Sequence, residues 1–104
     1  MNNLLKIYSD SNDTKLKLVK EGIEEQGICY EILSLKSAYN LDIKKHPFSL
    51  AIIIDNKDIL IKSINFIKRI NFNVENISNK YLKEVGLDIG RYIKGLPLKG
   101  DWDE

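Results

Sequence analysis

Leu50-Ala51-Ile52-Ile53-Ile54 is followed by Asp55-Asn56-Lys57-Asp58 and then by Ile59-Leu60-Ile61. The first five residues are apolar without alternation, the pattern of a strand covered on both faces, whereas a half-solvated strand alternates apolar and polar residues. The polar tetrad reads as a tight reversal, and the apolar pattern resumes behind it as an antiparallel hairpin partner. A strand buried on both sides needs further layers above and below it, so this stretch sets the fold class.

On the amino-terminal side, the residue before Pro47 is driven away from helical angles, so a weak helix over Ser37 to Lys45 ends ahead of His46-Pro47. Ile28, Tyr30 and Ile32 alternate with Cys29, Glu31 and Leu33, the period of a strand. Before it, Leu16, Val19 and Ile23 at spacings of three and four predict the buried face of a helix running to about Gln26. Gly27 supplies the left-handed residue that stops that helix. Leu4 to Tyr8 predicts the first strand, and in the turn Ser9 to Asp13 a side chain of Ser11, Asn12 or Asp13 caps the helix. Strand, helix and strand in this order form a right-handed βαβ unit.

On the carboxyl-terminal side, Ile64 to Arg69 reads either as a helical turn or as a loop, and Ile70 to Val74 as a short edge strand. A last helix, Ser78 to Lys94, places Tyr81, Leu82, Val85, Ile89, Tyr92 and Ile93 on one face and closes at Gly95 with Pro97 beyond. The expectation is a single α/β domain over residues 1–104, a three-layer α/β/α arrangement around a mixed sheet of about five strands.

Size and composition set bounds on function. A chain of 104 residues buries roughly 65% of the surface its unfolded form exposes. With 43% hydrophobic and 30% charged residues and a formal net charge of +1, it reads as an ordinary globular domain. Nucleic acid is not an expected partner, because the 16 basic residues are dispersed among 15 acids with no basic block interleaved with aromatics. The single cysteine excludes an internal disulfide and a cysteine-rich zinc site. With no apolar leader and no long apolar run, the expected location is the cytoplasm and no membrane partner is expected. The first strand runs into Ser9-Asp10-Ser11-Asn12-Asp13, which lacks the glycines and the lysine of a nucleotide cradle, so the chain is not expected to hydrolyse ATP by itself.

Single residues mostly carry a structural reading. Cys29 reads as a small core residue of a strand and His46 as a loop side chain, with no nucleophile and base pair between them. Asp10, Asp13, Asp55 and Asp58 sit near strand ends, where they read as caps and turn residues. Gly86 and Gly90 each cost a helix about 1 kcal/mol relative to alanine. Close packing of helix on sheet would offset that cost, and so would a flat surface on which another chain lies. Arg91 and Lys94 suit the carboxyl end of the last helix as solvated charges. Trp102 reads equally as an anchor and as part of a frayed terminus.

Glu24 and Glu25 are different. They sit at the negative end of the helix dipole, where Lys or Arg would be better by roughly 0.3–1 kcal/mol per charge, while Lys15, Lys17 and Lys20 crowd the opposite half. They are either a solvated pair or a place where a cation or basic partner offsets the misplacement. A carboxylate is a hard oxygen donor of the kind Mg²⁺ takes, and Mg²⁺ fills its other positions with further oxygens. A single chain offering one carboxylate is an incomplete site, so a metal there would be shared with a second chain.

Gly22-Ile23-Glu24-Glu25-Gln26-Gly27-Ile28, together with Gly86-Leu87-Asp88-Ile89-Gly90-Arg91-Tyr92-Ile93-Lys94-Gly95-Leu96-Pro97-Leu98, resembles the small subunit of the diol/glycerol dehydratase reactivating factor over the full length. That family has a similar helix-ending Gly-Ile-Glu-Glu-x-Gly-Ile segment and a last helix of the form Gly-x-x-Ala-Ala-Arg-Leu-Val-Lys-x-x-Pro-Phe. Its members also resemble the medium subunit of the adenosylcobalamin-dependent dehydratase, which is longer and has an amino-terminal extension. The present sequence departs from the pattern at Cys29 (usually proline), at Ile89-Gly90 (a small pair) and at Leu98 (phenylalanine).

The resemblance implies a non-catalytic subunit paired with a large, actin-like ATPase subunit. That assembly expels damaged cobalamin from stalled dehydratase, the small subunit exchanging places with the medium subunit it mimics. It further implies Glu25 as the ligand reaching a Mg²⁺ on the large subunit, ATP or ADP on that partner only, and an interface comprising Glu24, Glu25, Arg91 and Lys94. Location would be cytoplasmic, with or without association with a bacterial microcompartment. Two other readings stand beside it: a subunit of the dehydratase itself, and a generic α/β interaction domain.

Overall fold

In the computed structural model, residues 4–10, 14–72 and 77–100 are described. Five strands, β1 (Leu5–Tyr8), β2 (Tyr30–Leu33), β3 (Leu50–Ile54), β4 (Asp58–Ser63) and β5 (Ile67–Asn71), form one sheet in the order β2-β1-β3-β4-β5. β1 runs parallel to both β2 and β3, while β3, β4 and β5 form an antiparallel meander. The sheet is therefore mixed and the fold α/β, as expected.

Alternation within the strands defines the main core. Leu5 and Ile7 of β1, Leu50, Ile52 and Ile54 of β3, Ile59 and Ile61 of β4 and Ile70 of β5 point to one face and are buried. Onto them pack Leu16, Val19 and Ile23 of helix α1 (Thr14–Glu25) and Leu82, Val85 and Ile89 of helix α2 (Asn79–Lys94). At roughly 1.5–3 kcal/mol for each large apolar side chain removed from water, these residues are the main source of stability. Ser78 caps α2 by accepting from Tyr81 N at 3.1 Å, and Gly95 ends it in the left-handed conformation (φ 74°).

The opposite face is covered above β1 and β3, where Tyr8 and Ala51 are buried. The cover is three short 3-10 turns, η1 (Leu35–Ala38), η2 (Ile43–Lys45) and η3 (Pro47–Ser49). This corrects the expectation of one helix from Ser37 to Lys45. Asn40 adopts φ 60°, a conformation that asparagine tolerates and a helix does not, and the Asp42 side chain accepts from Lys44 N at 3.1 Å, competing locally with helical bonding.

Two more expectations change. The edge strand lies at Ile67–Asn71 rather than from Ile70 onward, because Ser63 closes a tight reversal, bonding Phe66 O through its backbone and accepting from Asn65 N through its hydroxyl. Cys29 is exposed, not a core residue: it precedes the β2 ladder on a sheet edge, its carbonyl accepting from Leu5 N at 3.0 Å. Ser11, Asn12 and Asp13 as helix caps, Val74 in an edge strand and Trp102 as an anchor fall outside the described residues.

The glycines of α2 have a structural partner, and it is α1 rather than the sheet. A Cβ on Gly86 would sit 3.0 Å from Val19 C, 3.1 Å from Gly22 Cα and closer still to Val19 O. Reciprocally, one on Gly22 would lie 2.5 Å from Leu87 N and 2.8 Å from Gly86 C. The two helix backbones touch at this seam. At its far end Gly90 faces the Gln26 side chain, with Cγ 2.7 Å from where a Cβ would be.

Candidate functional site

The end of α1 is shaped by Gly27 (φ 76°), which turns the chain back so that Gly27 N reaches Glu24 O at 2.9 Å and Ile28 N reaches Ile23 O at 3.3 Å. Ile23 is fully buried, so Glu24 and Glu25, the next two residues round the helix, splay away from it into solvent. They do not converge. Glu24 leans toward β2 and accepts a hydrogen bond from Tyr30 OH at 2.5 Å, while Glu25 leans across the seam to form an ion pair with Lys83 of α2.

That ion pair answers the charge puzzle of α1. The last turn of this helix holds no basic residue, and the cation that meets its acidic end comes from the neighbouring helix. The Glu25 side chain remains 52% exposed, and Lys83 40%. Lys94 stands at the same tip, 3.5 Å from Gln26 Oε1. Arg91 does not join them. Its side chain, 11% exposed, turns inward, and Nη1 donates to Asp88 Oδ1 at 2.6 Å and to Glu84 Oε1 at 2.9 Å. The structure thus brings Glu25 and Lys83 together, places Glu24, Gln26 and Lys94 around them, and holds Arg91 in an internal network.

Tyr30 records the field of the acidic tip. Burial first, and then the hydrogen bond to the negative Glu24, push its phenol up to about 12. A proton held more tightly in the folded state stabilises the fold below the unfolded phenol value of about 10 and ceases to do so as pH rises through the folded one. In Glu24→Gln, Tyr30 is expected to titrate lower than in wild type yet above the ordinary phenol value of about 10, because burial persists. A ring-resonance titration by NMR checks this, and a Tyr30 titration unchanged between wild type and Glu24→Gln would refute it.

Sequence reasoning missed Asp88 and Lys83. Asp88 is 1% exposed, yet all its oxygens are engaged: besides Arg91, it accepts from Lys99 N at 2.9 Å and Gly100 N at 2.7 Å, fastening the segment after α2. Its spacing of three from Arg91, on a stripe continuing Leu82 and Val85, was the available signal. Lys83 had none, because its partner lies on another helix.

The second face carries an open groove of about 330 Å³, lined by Lys6, Tyr8, Asn40, Asp42, Lys45 and His46. His46 forms its rim with both nitrogens in use. Nδ1 lies 2.9 Å from Asp42 O, a carbonyl that can only accept, so Nδ1 donates there and Nε2 accepts from Tyr8 OH at 2.7 Å. The loop reading of His46 agrees with this arrangement, and neither nitrogen is left as a free base. Asp55 caps the β3–β4 turn by accepting from Lys57 N at 2.8 Å and Asp58 N at 2.9 Å, and these bonds hold its carboxyl below the usual range. Among the described residues no three His, Cys, Asp or Glu side chains cluster to hold a metal, and no helix is long and apolar enough to cross a membrane.

The fold is thus an α/β sheet with a parallel β1-centred half, an antiparallel meander and two helices meeting at a glycine seam. Two solved structures share it. The chain of a diol dehydratase-reactivating factor complexed with ADP and Mg²⁺ superposes with a TM-score of 0.77 at 19% identity, covering 96% of this chain and 100% of that one. A glycerol dehydratase reactivase gives 0.72 at 16% identity, covering 93% and 96%. At such identities the likeness is one of fold. No family model matches the sequence, and no curated protein does.

Proposed function

We propose that this chain is the small, non-catalytic subunit of an ATP-dependent reactivating factor for adenosylcobalamin-dependent diol or glycerol dehydratase. The observation that carries the reading is the end-to-end fold match to a chain of a reactivating factor, the two covering each other almost completely. Local support comes from the tip of α1, where an exposed carboxylate sits in the segment that resembles the family's helix end.

In this reading ATP or ADP is held by a large, actin-like ATPase partner, and Mg²⁺ lies between that partner and Glu25. The donor chemistry of the tip fits such an ion. Glu25 presents hard carboxylate oxygens to solvent and already attracts a cation, the Lys83 ammonium, while a single carboxylate leaves the remaining positions to another chain. Bound there, Mg²⁺ would neutralise the Glu25 carboxylate and join it to oxygen donors of the partner. Glu25 would hold it, with Glu24 and Lys94 flanking the contact; Arg91, committed to Asp88, supports α2 from within. The subunit then exchanges with the dehydratase's medium subunit as competing interfaces, and nucleotide biases the exchange only by binding the alternative assemblies unequally. The setting is the cytoplasm, with or without a bacterial microcompartment.

The test is co-purification of the untagged large subunit with the tagged chain, with and without chelator, alongside an ATPase assay of the chain alone. Glu25→Gln is expected to weaken association by about tenfold, as for residues that support a bound metal, and to make the remainder indifferent to chelator. The isolated chain is expected to turn over no ATP. Association that ignores both the substitution and the chelator removes the metal role. No association at all with the large subunit leaves a generic interaction domain.

A further inference from the structure

Lys83 is a cation delivered to Glu25 by the fold rather than by chance on a flexible surface. Its backbone is pinned: the Lys83 carbonyl lies against Gly22 at the seam, so close that a side chain on Gly22 could not fit between them. Gly22 and Glu25 are three residues apart, as are Lys83 and Gly86, so one helical face on each side carries both the contact and the charge. The seam fixes where the lysine stem starts, and the ammonium closes on the carboxylate at the tip.

We infer that Lys83 is an intramolecular competitor for the metal at Glu25, a built-in counter-ion that any divalent ion must displace and that sets how tightly this tip takes one. The inference rests on the reading of Glu25 as a metal ligand and adds the control of that ligand. Exposed pairs of this kind are weak because water screens them and two long side chains must be ordered. Lys83 therefore lowers the tip's affinity without blocking it. Displacement also leaves Glu21, four residues before Glu25 on the same helix face, to add negative field toward the incoming ion. Glu24 is held aside by Tyr30, so the competition is for one carboxylate.

The isolated chain suffices for the test, with Mn²⁺ as a paramagnetic stand-in for Mg²⁺ and amide-signal broadening as the readout. In Lys83→Met, which keeps the stem and removes the charge, the signals of Glu24 to Gly27 are expected to broaden at about two- to fivefold lower Mn²⁺ than in wild type. By the conversion of 1.4 kcal/mol per tenfold that is ~0.4–1 kcal/mol. Broadening near Asp42 and Asp55 should stay unchanged, and Lys83→Arg should behave as wild type. Glu25→Gln should abolish the local effect in both backgrounds. Equal broadening in wild type and Lys83→Met, with loss in Glu25→Gln, overturns the role of Lys83 and leaves Glu25 a ligand. No loss in Glu25→Gln overturns both. A folded Lys83→Met is confirmed by unchanged amide shifts away from the seam.

Discussion

Gly86→Ala is expected to melt roughly 12–24 °C below wild type, because about 3 kcal/mol of overpacking falls on a domain of this size. The added methyl meets main chain, not a side chain that can rotate away: Val19 C lies 3.0 Å and Gly22 Cα 3.1 Å from its position, with Val19 O nearer still. Relief requires the two helices to part, which uncovers Val19, Ile23, Val85 and Ile89. Against a total stability of ~5–15 kcal/mol, such a loss leaves little margin. Thermal denaturation followed by circular dichroism measures it. A melting point within a few degrees of wild type would show that the helices do not touch at Gly86. Gly90→Ala is the internal comparison: its methyl meets no main chain but the base of the Gln26 side chain, with Cγ at 2.7 Å and Cβ nearer still, so it too should destabilise, though by less because Gln26 lies just past the end of α1 and can shift.

Asp88→Ala should be comparably damaging for an electrostatic reason. The carboxylate is buried with Arg91 against it, and deleting one partner of a buried pair leaves an uncompensated charge, typically at a cost of about 3–5 kcal/mol. Two backbone donors, Lys99 N and Gly100 N, also lose their acceptor. Urea denaturation gives the loss, and hydrogen exchange separates its parts. Amides 99 and 100 should exchange much faster in the variant while those of β3 in the sheet centre follow global stability. Asp88→Asn keeps the shape but not the charge, and should fall between the two. A loss under ~1 kcal/mol in Asp88→Ala would mean that Arg91 finds water or Glu84 instead, as an exposed pair would.

Much of the architecture was legible because local chemistry and tertiary context agree. The unalternating Leu50–Ile54 run is buried on both faces as it reads, with helices over one side and 3-10 turns over the other. Gly27 and Gly95 hold the positive φ that their places after helices predict, and Ser78 caps as a serine ahead of a periodic stretch should. Failure came where partners distant in sequence decide. Cys29 looks like a core residue until it is placed at a sheet edge. The helix expected over Ser37 to Lys45 failed for a local reason instead, the positive φ of Asn40 and the Asp42 side chain accepting from Lys44 N.

The candidate site divides the same way. The misplaced acids of α1 marked its tip, and both are exposed there. That they point apart, one to Tyr30 and the other to Lys83, follows from a helix crossing that no spacing within α1 encodes. Arg91 read as a free cation because its sequence neighbours say nothing of Asp88 being sealed beneath the chain that follows α2. Gly86 and Gly90 left two readings open, packing on the sheet or a surface for another chain; the glycines instead meet α1 and the turn after it, Gly86 at Val19 and Gly22 and Gly90 at Gln26.

The glycine seam also has a consequence during synthesis. α1 leaves the ribosome before α2, and the surface that shields Val19 and Gly22 is encoded 64 positions after Gly22, at Gly86. At roughly 5–20 residues per second, the nascent polypeptide spends several seconds with that groove open. Closure of this domain therefore waits on α2: only when that helix is released can α1 be covered. Carboxyl-terminal truncations should accordingly yield sticky, protease-sensitive fragments, not smaller working units.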